Sequence, residues 1–389
     1  MRYRILSAAV LMQICIGGLY AWSTFVPPLR ETYALQTWQT QFLFGTLIFV
    51  FTTFMIPAGM VLYRVGPKPV ALTGALLFSV GYAVAARSEG RFLPLLVGIG
   101  VLAGIGTGFC YVVPLSLCAV WFPDRKGLAT GIVVGGFGGG AIILSFMAQQ
   151  LLEKGWTVLN IFHAIALVYG LVLVGVSLGL RFPPTFSKPP PVRIDEWRVA
   201  IRDRRFLVYF VAIFSGTFAG LLVIGNLSPL LRSWGYAPQM AVIAIATFSA
   251  GNVSGRIVWG WLTDRLHDHA VVLSLLGMAF VLVFLILQPP FVALLAVCFL
   301  VGASFGSCFV IYATRVAAVY GTHHFPSLYP LIFLGYGVAG MLGPWAGGWL
   351  YDRAQDYRMA IGLALLVVMT SVAMTRLGLD LRREIQSGL

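Results

Sequence analysis

Phe206-Leu-Val-Tyr-Phe-Val-Ala-Ile-Phe-Ser-Gly-Thr-Phe-Ala-Gly-Leu-Leu-Val-Ile-Gly-Asn-Leu-Ser-Pro-Leu-Leu231 contains no Asp, Glu, Lys or Arg. Wound as a helix at about 1.5 Å per residue, such a run extends for roughly 39 Å, more than the roughly 30 Å hydrocarbon core of a bilayer. Comparable gaps separate Arg4 from Arg30, Glu31 from Arg64, and Arg91 from Asp124. Across the 389 residues, 10% are charged and 59% hydrophobic, whereas soluble domains carry about 25% charged residues. A soluble enzyme, a disulfide scaffold and a nucleic-acid binder are thereby excluded, and the net charge of +13 reads as membrane topology. The five cysteines (Cys15, Cys110, Cys118, Cys298, Cys308) all fall in apolar stretches without C-x-x-C spacing, as small hydrophobes do.

Charge clusters and Pro/Gly turns divide the chain into twelve spans near 5–29, 40–63, 69–87, 92–120, 127–152, 157–181, 206–231, 238–263, 270–288, 291–314, 326–351 and 358–376. The expected fold is an all-α polytopic membrane protein, since no segment shows the ten-residue alternation of a membrane barrel. The apolar run after Arg2 and Arg4 reaches Leu29, too long for a cleavable signal peptide. Of the 26 Lys and Arg, eighteen fall on the side of the chain termini and seven on the other, with Arg256 inside a span. The excess of positive charge places both termini in the cytoplasm and the protein in the plasma membrane. The long basic segment 183–205, with Pro189-Pro190-Pro191 and a candidate surface helix after Asp195, links an N-terminal half (1–182) to a C-terminal half (206–389). Two six-helix halves joined in this way suggest a duplicated transporter.

Glycine rows at four-residue spacing, Gly100/Gly104/Gly108, Gly131/Gly135/Gly139 and Gly343/Gly347, are expected to bring helix backbones together in lipid. They are not phosphate loops, which require a strand before and a helix after, in water.

Every Asp and Glu falls in a loop or at a helix end, and Arg256 is the one cation well inside an expected span. An arginine at mid-bilayer costs about 2.5–3.5 kcal/mol on insertion scales. The side chain must therefore reach the interface, cavity water, or an anion. Ser249, Asn252, Arg256 and Trp259 share one helical face, at spacings of 3, 4 and 3, which favours a cavity. A planar guanidinium suits a carboxylate because it offers two parallel donors. A single cation without a fixed acid complements a monoanion better than a dianion. Further polar groups deep in spans are Gln13, Tyr20, Tyr111, Asn226, Tyr312 and Tyr336. His163, in the sixth span, is the candidate for proton coupling. Neither a metal set nor a nucleophile–base pair is apparent, so no enzyme activity, metal or cofactor is expected.

Several stretches carry a family resemblance. They are Gly17-Gly-Leu-Tyr20-Ala-Trp22, Gly104-Ile-Gly106-Thr-Gly108-Phe-Cys-Tyr111, Trp121-Phe-Pro-Asp124-Arg125-Lys126-Gly127-Leu-Ala-Thr-Gly131, Asn252-Val-Ser-Gly255-Arg256, and Gly335-Tyr336-Gly337-Val-Ala-Gly340. Together they resemble the oxalate/formate antiporter and monocarboxylate transporter branch of the major facilitator superfamily. The loop Gly260-Trp-Leu-Thr-Asp264-Arg265 resembles that superfamily's loop signature, and its first-half counterpart, Gly59 to Lys68, has Tyr63 in place of the acid. The resemblance implies alternating access in a protein expected to be monomeric, with Asp124, Arg125, Asp264 and Arg265 in conformational loops. It also implies that Arg256 binds a substrate carboxylate, with Asn252, Tyr20, Tyr111, Tyr312 and Tyr336 around it. Two departures narrow the substrate. Tyr336 stands where oxalate exchangers have a second cation, and Asn252 stands where animal-type monocarboxylate transporters have an aspartate tied to proton coupling. The expected substrate is a small monocarboxylate (lactate, pyruvate or formate), carried by proton symport or by exchange. The alternatives are an oxalate or dicarboxylate exchanger and a facilitator of an unrelated small molecule.

Overall fold

A computed structural model describes residues 2–122, 126–184, 186 and 201–387. Among these residues there are twelve helices long and apolar enough to cross a membrane. They are α1 (Arg2–Thr24), α2 (Thr37–Val65), α3 (Pro67–Ala86), α4 (Phe92–Cys118), α5 (Gly131–Glu153), α6 (Val158–Leu178), α7 (Arg204–Ser233), α8 (Pro238–Leu266), α9 (His269–Ile286), α10 (Phe291–Gly321), α11 (Leu328–Ala354) and α12 (Arg358–Gly378). Apolar side chains such as Leu171, Ile257 and Val292 are 72%, 72% and 81% exposed. They belong on the perimeter, where lipid replaces water as the solvent. The proline-rich segment, the candidate helix after Asp195, and the pair Asp124 and Arg125 lie outside the described residues.

The punctuation expected from sequence is where the helices turn. Gly66, at φ 93°, ends α2 in a backbone conformation that costs a residue without Cβ little, and Pro67 opens α3. Pro289-Pro290 separates α9 from α10. Gly321, at φ 81°, breaks the helical path between α10 and α11. Two boundaries differ from expectation. The first span is not one regular helix: it tightens into a 3₁₀ segment at Gly18–Thr24 and resumes as a short helix, Val26–Tyr33. The tenth runs on to Gly321, which carries Arg315 into the helix. Arg256 is therefore not the one cation within a span. Arg315 is 9% exposed, but its Nε donates to Asp268 at 2.7 Å, and the Tyr209 hydroxyl donates to the same carboxylate oxygen at 2.6 Å.

The glycine rows are partly as expected. A Cβ at Gly100, Gly104 or Gly108 would press on α2, and one at Gly343 would sit 2.7 Å from the Phe218 carbonyl of α7. Gly131, Gly135 and Gly139 do not do this, because nothing lies within 4 Å of where their Cβ atoms would be. The contact belongs to the neighbouring face. A Cβ at Gly140 would overlap the Ile14 carbonyl, and one at Gly17 the Phe137 carbonyl, so α1 and α5 touch backbone to backbone. A second such seam joins α8 to α10, through Gly251 and Gly255 on one helix and Gly302 and Gly306 on the other. This seam sets the depth of Asn252 and Arg256 in the bundle.

Candidate functional site

Helix α8 turns two different faces outward and inward. Ile257, Val258 and Trp261 are exposed, whereas Ser249 and Asn252 are buried. Arg256, half-buried, lies between them. Its path is decided by its contacts: Nε donates to Asn252 Oδ1 at 3.2 Å, one turn toward mid-membrane, and the guanidinium carbon sits 4.4 Å from the centre of the Phe309 ring on α10. The side chain thus runs back along α8, as helical side chains tend to, away from the end of the helix at Asp264. It does not snorkel.

What remains free on the two residues is all donor. Arg256 Nη1 and Asn252 Nδ2 are buried without a hydrogen-bond partner, and the Ser249 hydroxyl nearby is in the same state. Among the described residues no carboxylate pairs with Arg256. A buried unsatisfied donor costs about 1–3 kcal/mol, more when charged, and native proteins leave few of them. Arg315, by contrast, has its carboxylate. With Nε held by Asn252 and one face of the guanidinium on Phe309, the Nη1–Nη2 edge is the one left for a ligand, a geometry that fits a planar anion with two acceptor oxygens.

The tyrosines gather from both sides of the bundle. Tyr20, Tyr111 and Tyr336 lie within electrostatic reach of Arg256. The Tyr20 and Tyr336 hydroxyls share a hydrogen bond of 2.9 Å that joins α1 to α11. Tyr20 also meets Phe137 and Phe305 edge-on, at centroid distances of 5.4 and 5.7 Å. Tyr111 packs against Phe51 and Phe137, each at 5.1 Å. Phe309, over which Arg256 lies, meets Tyr336 at 5.2 Å, so Arg256 adjoins an aromatic cluster that carries the Tyr20 and Tyr336 hydroxyls.

Tyr312 is placed differently. Its buried hydroxyl lacks a partner, and its ring faces Tyr209, 6.4 Å away, beside the Asp268–Arg315 pair. His163 is exposed on the perimeter of α6 rather than beside Arg256. Gln13 and Asn226 serve the scaffold: Gln13 Nε2 donates to the Tyr111 carbonyl at 3.3 Å, and Asn226 Nδ2 donates to the Leu222 and Pro344 carbonyls. Asp264 and Arg265 are exposed at the end of α8, where Arg265 stacks on Trp261 at 4.0 Å. Tyr63, in the place of the signature acid, lies nearly parallel to the stacked pair Phe182 and Phe186, at centroid distances of 6.0 and 6.1 Å.

Sequence reading missed Phe309, Phe305, Phe137 and Tyr329. Tyr329 is also within electrostatic reach of Arg256. A signal for the first two was present, since Gly302/Gly306 repeats the small-residue spacing and Phe305 and Phe309 follow at the same interval.

Twelve membrane-length helices among the described residues, with an arginine that no carboxylate there pairs drawn in among them, have the form of a membrane transporter. The chain belongs to the Major Facilitator Superfamily, whose family model matches residues 8–237 and 209–386. It is similar to the oxalate:formate antiporter of Oxalobacter formigenes, at 24% identity over 88% of this chain and 83% of that protein. It is also similar to monocarboxylate transporter 4 of Mus musculus, at 27% identity over 81% and 69%. Among solved structures, a bacterial homologue of the human lysosomal transporter Spinster superposes with a TM-score of 0.77 at 15% identity, covering 97% of this chain and 96% of that one. That likeness is one of fold.

Proposed function

We propose that this protein is a secondary transporter of small monocarboxylates of the lactate, pyruvate and formate class, working by alternating access in the plasma membrane with both termini in the cytoplasm. The observation that carries the proposal is the Arg256–Asn252 pair, which keeps a buried guanidinium Nη1 and a buried amide nitrogen unpartnered with no neutralising carboxylate among the described residues. Arg256 clamps the carboxylate through its Nη edge. Asn252 orients the guanidinium and offers Nδ2 to the anion, and the hydroxyls of Tyr20, Tyr111 and Tyr336 supply further donors. Tyr312, beside Arg315, lies in the wall nearer the termini. The halves 1–182 and 206–389 move against each other about this site, adjusting at Asp264 and Arg265, which the structure has in the last turn of α8 rather than in a loop, and at Asp124 and Arg125. The names of the two sequence relatives agree with a carboxylate substrate.

A monoanion is favoured over oxalate because the site holds one cation, and Tyr336, in the place of a second, is hydrogen-bonded to Tyr20. Uptake of labelled lactate, pyruvate or formate into proteoliposomes tests the proposal, with oxalate and nitrate as competitors. Saturable uptake of one of the three acids supports it. Uptake of oxalate alone would assign the dicarboxylate exchanger. Uptake of none, with an uncharged solute carried instead, would assign the unrelated facilitator.

A further inference from the structure

At the face of the bundle opposite the termini, the ends of the two halves are held together by named bonds. Glu31, after α1, pairs with Arg232 at the end of α7. Glu153, at the end of α5, accepts from Gln239 at the start of α8 at 2.8 Å. Gln41 on α2 donates to the Gly225 carbonyl of α7 at 2.7 Å. Most of these are exposed, and exposed ionic contacts of this kind contribute little. One is of another type. The Asp352 carboxylate, in the last turn of α11, accepts from the backbone N–H of Thr37 at 3.2 Å and of Trp38 at 2.8 Å. Those are the first two residues of α2, so an acid of the second half caps a helix of the first. Both N–H groups belong to the set that a helix cannot satisfy internally, and the helix dipole adds to their attraction for a carboxylate. The next donor, the Gln39 N–H, bonds the Gln36 carbonyl at 3.1 Å, which leaves the first two for Asp352.

We propose that Asp352 is a latch that holds this face closed, and that opening the site toward this side requires the carboxylate to leave the start of α2. The proposal rests on alternating access but not on the identity of the substrate. The state seen here is closed at this face, with Asp352 engaged. An opening motion draws the last turn of α11 from the first turn of α2 and exposes two backbone donors and a charge to water. Water then satisfies them, so the latch sets the balance between open and closed without trapping either.

The two sides of the bond can be removed separately. Asp352→Asn keeps the shape and one acceptor oxygen but loses the charge and the second acceptor. Thr37→Pro deletes one donor from the other side. Proline is well accepted at the first position of a helix, and Gln36, at φ −72° and ψ 156°, already has the extended backbone required before it. Nitroxide labels at Arg87 and Leu287, both exposed at this face in opposite halves, read the opening by electron–electron distance measurement in nanodiscs. The five native cysteines are buried.

Each single variant is expected to raise the open-to-closed ratio by about tenfold, the scale of one charge-assisted hydrogen bond. The double variant should rise by less than the product of the two, because they break one shared interaction. The distance distribution needs no substrate, so the latch stands or falls separately from the carboxylate reading. Unchanged distances in both single variants would overturn it. So would fully multiplicative effects in the double variant, which would mean that the two residues act apart.

Discussion

Replacing Arg256 by lysine tests the fork rather than the charge. The cation remains at the same depth, so the desolvation cost of the site changes little. Lost are the Nε bond to Asn252 Oδ1 at 3.2 Å and the flat contact with Phe309 at 4.4 Å, which together aim the Nη edge. Lost too is one of the two parallel donors offered to a carboxylate. A hydrogen bond to a charged group contributes about 1.5–3 kcal/mol, so the dissociation constant of the transported acid should rise roughly 10- to 150-fold. A buried lysine gives up its proton more readily than a guanidinium, so binding is measured at about pH 6 as well as about pH 8. The lower pH isolates geometry. Tryptophan fluorescence or calorimetry on purified protein reads the affinity, and a melting curve confirms the fold. An affinity within about threefold of the parent at the lower pH would refute the reasoning, because a point charge would then be serving as well as a fork.

Four other substitutions probe the scaffold and the site. Gly255→Ala should lower the melting temperature by several degrees and weaken binding. Its Cβ overlaps the Ala303 carbonyl, and overpacking of this kind costs about 1–3 kcal/mol. Gly135→Ala, with nothing within 4 Å, should melt within about a degree of the parent. Asp268→Asn removes the charge opposite Arg315, whose side chain is only 11% exposed. The expected loss is about 3 kcal/mol of stability, recovered by adding Arg315→Met and read by chemical denaturation in micelles. Tyr20→Phe deletes the α1–α11 hydroxyl bond, worth about 1 kcal/mol. Because the same hydroxyl is proposed to donate to the anion, the dissociation constant should rise roughly 2- to 12-fold, and an unchanged affinity would take the hydroxyl off the substrate.

Much of the architecture could be read from charge alone. A bilayer forbids charged residues over about twenty positions, so the uncharged runs count the spans, and Gly66-Pro67 and Pro289-Pro290 mark the turns. The stripe Ser249, Asn252, Arg256 could be read for the same reason, as polar groups in such a run must face inward. The surroundings of the stripe were not legible. An aromatic residue in a membrane helix fits lipid, core and cavity equally well, so Phe309 is distinguished from the exposed Phe280 and Phe284 only by the angle at which α10 meets α8. Gly131/Gly135/Gly139 failed for a related reason. Spacing shows that one face is smooth but not which neighbour it meets, and the adjacent Gly136/Gly140 face was the one turned toward α1. Asp352 could not be read at all, since its partners are backbone N–H groups, which every residue but proline carries.

The contrast between the two intramembrane arginines bears on how the cycle is coupled. Arg315 carries its counter-charge with it in Asp268. Arg256 does not. Any state in which both faces are closed must hold its guanidinium away from water, and on the proposal above the anion would supply the neutralising charge only when the site is loaded. The Asn252 and Phe309 contacts bring no negative charge and do not neutralise the guanidinium. If the insertion cost of about 2.5–3.5 kcal/mol falls on the empty carrier alone, unloaded return should be slower than loaded return by up to roughly 70- to 370-fold. A ligand shifts a conformational equilibrium only by its differential affinity for the two states, and here that difference is electrostatic. The expected behaviour is exchange: efflux from preloaded proteoliposomes should accelerate at least tenfold when the same acid is present outside. Among the described residues no carboxylate or imidazole contacts Arg256, and His163 is on the perimeter, so the exchange should proceed without a pH gradient. Net efflux as fast as exchange would mean that the empty guanidinium crosses unaided. Uphill uptake driven by a proton gradient alone would mean that a proton, moving by a path that avoids the site, does what the second anion is proposed to do.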